Sequence, residues 1–136
     1  MLPKEIFLSH SSLDKSFADS IADTLRNHGI PIWYSRTNIL GTQQWHDEIG
    51  EALERCDWFI VILSPNSVQS TWVKRELTFA LNSNKYDNKI IPVLYQSCDF
   101  KKLSWTLDLV QIIDFSIDSE SGFRELFRTW GFGYKN

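Results

Sequence analysis

Two residues near the middle of the 136-residue sequence carry the strongest chemical signal: Trp72 and Glu76, four positions apart. At helical spacing they stack on one side of a helix, which sets an indole face beside a carboxylate. Val73, Leu77, Ala80 and Leu81 form the apolar stripe of the same segment, so Glu76 falls at the border of the buried face. Spacing alone leaves two readings open. Glu76 is either a carboxylate partly buried at the mouth of a crevice or a solvated helix residue pairing with Lys74 or Arg75. A second polar cluster, Ser9-His10-Ser11-Ser12 with Asp14, contains the residue types of a catalytic triad. Near neighbours on one turn do not converge, however, and no nucleophile elbow is present. The three histidines (His10, His28, His46) are scattered without metal-ligand spacing, so no metal site is expected. Cys56 and Cys98 give neither a disulfide framework nor a zinc site and read as packed thiols.

Other chemistries are excluded by what is missing. There is no Gly-x-Gly-x-x-Gly and no Walker-type Gly-Lys-Ser/Thr, so a dinucleotide or ATP fold of those kinds has no fingerprint. A phosphorylated receiver domain needs an acceptor Asp at the end of its third strand, where this chain has Leu63-Ser64-Pro65. With a net charge of -3 and no Lys/Arg stripe, a nucleic-acid backbone is not the expected partner. No apolar run reaches the roughly 18–20 residues that span a bilayer, so the expectation is a soluble, cytoplasmic domain without a membrane partner. Hydrophobic residues make up 43% and charged residues 23%, which suits one compact domain over residues 1–136. Six tryptophans are a surplus that composition cannot divide between core and a flat-faced binding site.

The elements that must position these groups alternate along the chain. Five β-branched or apolar runs read as strands: Glu5–Ser9, Pro31–Tyr34, Trp58–Leu63, Ile90–Tyr95 and Val110–Asp114. The third is hydrophobic throughout, as a central strand buried on both faces should be. Pro92 cannot donate a ladder hydrogen bond, which predicts an edge position or a bulge. Helices lie between. Ser11 caps the first, with Asp14 as a capping-box-like partner, Phe17, Ile21 and Leu25 as its stripe, and Gly29 as its stop. The second carries Trp45, Ile49, Leu53 and Cys56; a short one is expected around residues 99–108; the last, roughly 119–130, carries Phe123, Leu126, Phe127 and Trp130. Five β/α units predict an α/β, flavodoxin-like five-stranded parallel sheet of order 2-1-3-4-5 with helices on both faces. Ligands then bind beyond the carboxyl ends of strands one and three. The loops Ser9–Ser12 and Ser64–Ser67 border that crevice, and residues Ser35–Gln44 are expected to arch over it.

In this arrangement the chain resembles a family. Ile6-Phe7-Leu8-Ser9-His10-Ser11-Ser12-Leu13-Asp14 is similar to the first box of Toll/interleukin-receptor (TIR) domains. Ile60-Val61-Ile62-Leu63-Ser64-Pro65, with Ser70, Trp72 and Glu76, resembles the Ser-x-Trp-x-x-x-Glu region of the NAD-consuming branch, and Gly41, Trp45 and Ile49 resemble the second helix of bacterial members. The loop after strand two lacks the Arg-Asp…Pro-Gly of animal receptors, and Ser35 stands where many enzymatic members have Asp.

The resemblance implies that Glu76 is the catalytic glutamate and NAD+ the substrate, with no further cofactor. The ring that leaves is already a cation, so no acid has to protonate it, unlike an ordinary glycoside. Trp72 and Trp45 are then candidates for the pocket wall against the cationic ring. Ser9, Ser11 and Ser12, with the amides opening the first helix, are candidates for the pyrophosphate, and Arg36 for a phosphate or hydroxyl. The products are ADP-ribose or a cyclic isomer. The resemblance further implies activation by self-association through the loop Ser35–Gln44 and neighbouring TIR domains, in immune or anti-phage signalling. Two rivals remain: a non-catalytic TIR interaction module, and a nucleoside deoxyribosyltransferase-like enzyme exchanging bases.

Overall fold

The computed structural model describes residues 2–34, 42–131 and 133–135; the side chains of residues 42–45 lie outside the described set. Five parallel strands form one sheet: β1 (Ile6–Ser9), β2 (Ile32–Trp33), β3 (Trp58–Leu63), β4 (Ile90–Leu94) and β5 (Ile113–Asp114). Their order is β2-β1-β3-β4-β5, the order expected from the sequence. The helices are α1 (Lys15–Asn27), α2 (Thr42–Arg55), α3 (Thr71–Leu81) and α4 (Ser119–Thr129).

The unbroken apolar run of β3 has a direct cause. Successive side chains point to opposite faces, and both faces are covered. Ile60 and Ile62 join Ile6, Leu8, α1 and α4 in one core, whereas Phe59, Val61 and Leu63 join Phe7, α2 and α3 in the other. β4 runs in unbroken register with β3 from Ile90 to Leu94, without a bulge at Pro92. The N–H of Tyr95 donates to Leu63 on the β3 side, so by alternation the missing donor of Pro92 faces β5. There β5 begins pairing only at Val93, one residue later, and β4 is an edge at Pro92 although it is not the edge strand.

Three local expectations are corrected. Residues 99–108 do not form a helix of α type: two 3-10 turns, Phe100–Lys102 and Trp105–Leu109, make the crossover, with Leu103 and Leu107 as its buried anchors. The fifth strand is two residues rather than five, because β4 offers it only Val93 and Leu94. Asp14 is not a capping partner of Ser11; it ends a 3-10 turn, Ser12–Asp14, and its carboxylate is used elsewhere. Ser11 does cap that turn, accepting the Leu13 N–H at 3.2 Å, and Gly29 ends the α1 region at φ +80, where a side chain would be strained.

Gly122, inside α4, permits a close approach. A Cβ there would lie 2.6 Å from the Phe115 ring, which is buried in the α1/α4 core. Gly122→Ala should therefore cost about 1–3 kcal/mol of overpacking, against up to about 1 kcal/mol regained in helix propensity. The net effect expected in thermal denaturation is a lower midpoint; an unchanged or raised midpoint would show that the ring gives way freely.

Candidate active site

Glu76 is placed by the start of α3. Ser70 stands in extended conformation before the helix and its hydroxyl accepts the Val73 N–H at 3.2 Å, fixing where the helix begins. Val73, Leu77 and Ala80 then bury one face, and Glu76 is drawn in with them to 6% exposure. Its Oε1 accepts a hydrogen bond of 2.6 Å from the hydroxyl of Ser9, itself 1% exposed at the carboxyl end of β1. Lys74 and Arg75 are exposed. The surface ion-pair reading of Glu76 is thereby replaced by a buried carboxylate with one hydroxyl donor. Burial pushes its pKa up to about 7, with the Ser9 hydrogen bond pulling the other way.

Trp72, one turn before, is half-buried. Its ring meets the imidazole of His46 on α2 at 4.7 Å with the planes inclined by 59°, and the Arg75 guanidinium lies over it at 5.2 Å. His46 was legible only as one of three scattered histidines. Ser11 is buried and its hydroxyl is engaged in capping, whereas Ser12 is exposed. Ser9 turns its hydroxyl to Glu76. The Trp45 side chain, Arg36 and residues 35–41 of the loop Ser35–Gln44 lie outside the described residues. Among the other tryptophans, Trp33 packs on Phe7 at 5.2 Å, Trp58 meets Trp130 edge to face at 5.8 Å, and Trp105 is 70% exposed. Cys56 is buried but Cys98 only half so, and both are free.

A second carboxylate, which the sequence suggests as a capping partner, lies at the same end of the sheet. Asp14 is 4% exposed; it accepts from the Ser64 hydroxyl at 2.5 Å and from the Asn66 side-chain amide at 2.9 Å. Ser64 and Ser67 in turn exchange backbone-to-hydroxyl bonds of 2.9 and 3.0 Å. The loops after β1 and β3 are thus tied together. The spacing of Ser11 and Asp14 suggested a local cap, and only a partner 50 residues away shows the actual role. His10 follows Ser9, packs its ring edge-on to Tyr34 at 5.5 Å, and burial holds its pKa below the usual imidazole value. Among the described residues no cluster of three or more His, Cys, Asp or Glu could hold a metal ion. A cleft of about 350 Å³ opens at the opposite end of the sheet, where β3, β4 and β5 begin, lined by Trp58, Tyr86, Ile90 and Val110. Its position excludes it from the crevice.

Residues 6–127 match the family model described as TIR domain. The chain belongs to the TIR domain family. Among curated relatives of this TIR domain, the NAD(+) hydrolase TcpC of Escherichia coli O6:H1 is 30% identical over 102 residues, 74% of this chain and 33% of that protein. The 2' cyclic ADP-D-ribose synthase BtTIR of Bacteroides thetaiotaomicron is 30% identical over 88 residues, 64% of this chain and 31% of that protein. The TIR domain here spans about a third of the length of these relatives. The crystal structure of the TIR domain of the Toll-related receptor TRR-2 from Hydra magnipapillata matches with a TM-score of 0.72 at 20% identity, covering 90% of this chain and 94% of that one. That likeness concerns the fold. No helix among the described residues of this TIR domain is long and apolar enough to cross a membrane.

Proposed function

We propose that this TIR domain cleaves the bond between nicotinamide and ribose in NAD+, with Glu76 as its catalytic residue. The observation that carries the reading is the carboxylate of Glu76, 6% exposed at the carboxyl end of the sheet and bonded only through Ser9 among the described contacts. The names of the curated relatives support the same substrate. As the glycosidic bond breaks, its electron pair passes to the ring nitrogen and the ring leaves as neutral nicotinamide. Positive charge grows on the ribose carbon. An ionised Glu76 in a site of low dielectric stabilises that charge and accepts hydrogen bonds from the ribose hydroxyls. Trp72 supplies an aromatic face for the ring while it is a cation. The oxygen of water, which gives up a proton, then takes the carbon and yields ADP-ribose; capture by another group of the same nucleotide yields a cyclic isomer. Self-association through the loop Ser35–Gln44 raises activity, and the setting is defence signalling in the cytoplasm.

The test is nicotinamide release from NAD+ by artificially clustered protein, with Glu76→Ala alongside and circular dichroism as a check on its fold. Release that is equal in the two overturns the enzymatic reading and leaves an interaction module. Base exchange without net loss of NAD+ would point to a transferase.

The ionised form of Glu76 is the working one, so kcat/KM should fall about tenfold per pH unit below a midpoint near the pKa of about 7. The Ser9 hydroxyl favours the ionised form; its removal raises the pKa. Ser9→Ala should therefore move the acid limb of the profile to higher pH. A midpoint that stays in place or moves down would show that this hydrogen bond does not tune the carboxylate.

A further inference from the structure

The aromatic face offered to the substrate is shared. The Arg75 guanidinium lies over the Trp72 ring, 5.2 Å from its centroid, and Arg75 itself is exposed and immediately precedes Glu76. Its charge is therefore held to the site by the ring and not by a buried ion pair. We propose that Arg75 competes with the pyridine ring of the substrate for Trp72 and so sets how tightly the site holds that ring before and after cleavage. The inference rests on the reading of Trp72 as a wall of the nicotinamide site.

A guanidinium over an indole is attracted by the negative face of the ring, and at an exposed position the attraction is weak enough to be displaced. Substrate and product meet the same competitor with different means. The substrate ring carries a positive charge, so it gains both the indole face and the neighbouring Glu76 carboxylate. The product ring is neutral because the bonding pair has passed to its nitrogen. It retains only stacking, while Arg75 retains its charge. The guanidinium then reclaims Trp72, nicotinamide leaves, and its return to the ribose carbon is disfavoured. Lysine would do this less well, because its ammonium is a compact, strongly hydrated charge that stacks poorly.

The experiment uses clustered wild type, Arg75→Gln and Arg75→Lys. In Arg75→Gln the KM for NAD+ and the inhibition constant for nicotinamide should both fall, by about two- to fivefold for the strength of an exposed cation–π contact. NAD+ should gain at least as much as nicotinamide, since a like charge is removed too, and kcat should not rise in proportion. Arg75→Lys should be intermediate. A KM for NAD+ that rises in Arg75→Gln would mean that Arg75 binds the anionic part of the substrate, and the competition would be overturned; so would two unchanged constants. Binding of 1-methylnicotinamide, which keeps the positive ring but has no bond to cleave, is followed on the Trp72 indole resonance of the same proteins. Tighter binding in Arg75→Gln without any NAD+ cleavage would sustain the competition while the enzymatic reading failed. Cleavage with no change in either constant would do the reverse.

Discussion

Glu76→Gln should lose at least about 100-fold in nicotinamide release and, above neutral pH, be harder to unfold than the wild type. Both effects come from one charge. Glutamine keeps the shape of the side chain and an acceptor oxygen for the Ser9 hydroxyl, but it has no negative charge to set against a growing ribosyl cation. Loss of one preorganised electrostatic group of this kind costs on the order of 10²–10³ in rate. The stability effect has the opposite sign. The folded protein holds the Glu76 carboxyl at about 7, above its ordinary value of 4.5, because burial disfavours the ion. Between those pH values the folded state binds more protons than the unfolded chain, so stability falls as pH rises and the full cost is present above pH 7. A shift of that size corresponds to about 3 kcal/mol. Glutamine escapes the cost but buries an amide of its own, which leaves an expected gain of about 1–3 kcal/mol at alkaline pH. Urea unfolding checks this: the advantage should shrink toward acid pH, where the wild-type carboxyl is protonated. An advantage independent of pH would mean that the ionised carboxylate is not what destabilises the site.

Asp14→Ala should cost about 2–4 kcal/mol in the same measurement. The substitution removes the acceptor of two donors, the Ser64 hydroxyl and the Asn66 amide. Ser64 is fully buried, so water cannot take the place of the lost partner without opening the loop. Removing one partner from a buried network costs more than the bond was worth, since the others keep their desolvation. Asp14→Asn should fall in between: its oxygen still accepts one bond, while its amide meets the remaining donor. A loss below about 0.5 kcal/mol for Asp14→Ala would show that the loops after β1 and β3 hold together without it.

The order of the sheet was legible because alternating strand and helix patterns admit few topologies, and because β3 is apolar at every position. What stayed hidden depended on partners remote in sequence. The hydrogen-bond partner of the buried Glu76, the Ser9 hydroxyl, lies 67 residues away, and no helical spacing contains that information. Asp14 shows the same limit, since its neighbours in sequence suggested a cap and its partners lie across the crevice. The crossover before β5, expected as a short helix, consists of two 3-10 turns that bury Leu103 and Leu107. Trp33 is partly buried and packs on Phe7 at the margin of the α2/α3 core, whereas Trp72 stands one turn before Glu76.

Among the described residues both border strands of the sheet, β2 and β5, are two residues long. So short a border offers a visiting chain almost no row of free amides and carbonyls to extend. A protein proposed to work in company is thus guarded against the most indiscriminate way that β proteins join. The self-association proposed for this domain would then run through loops and helix faces, leaving undisturbed the sheet against which α3 sets Glu76.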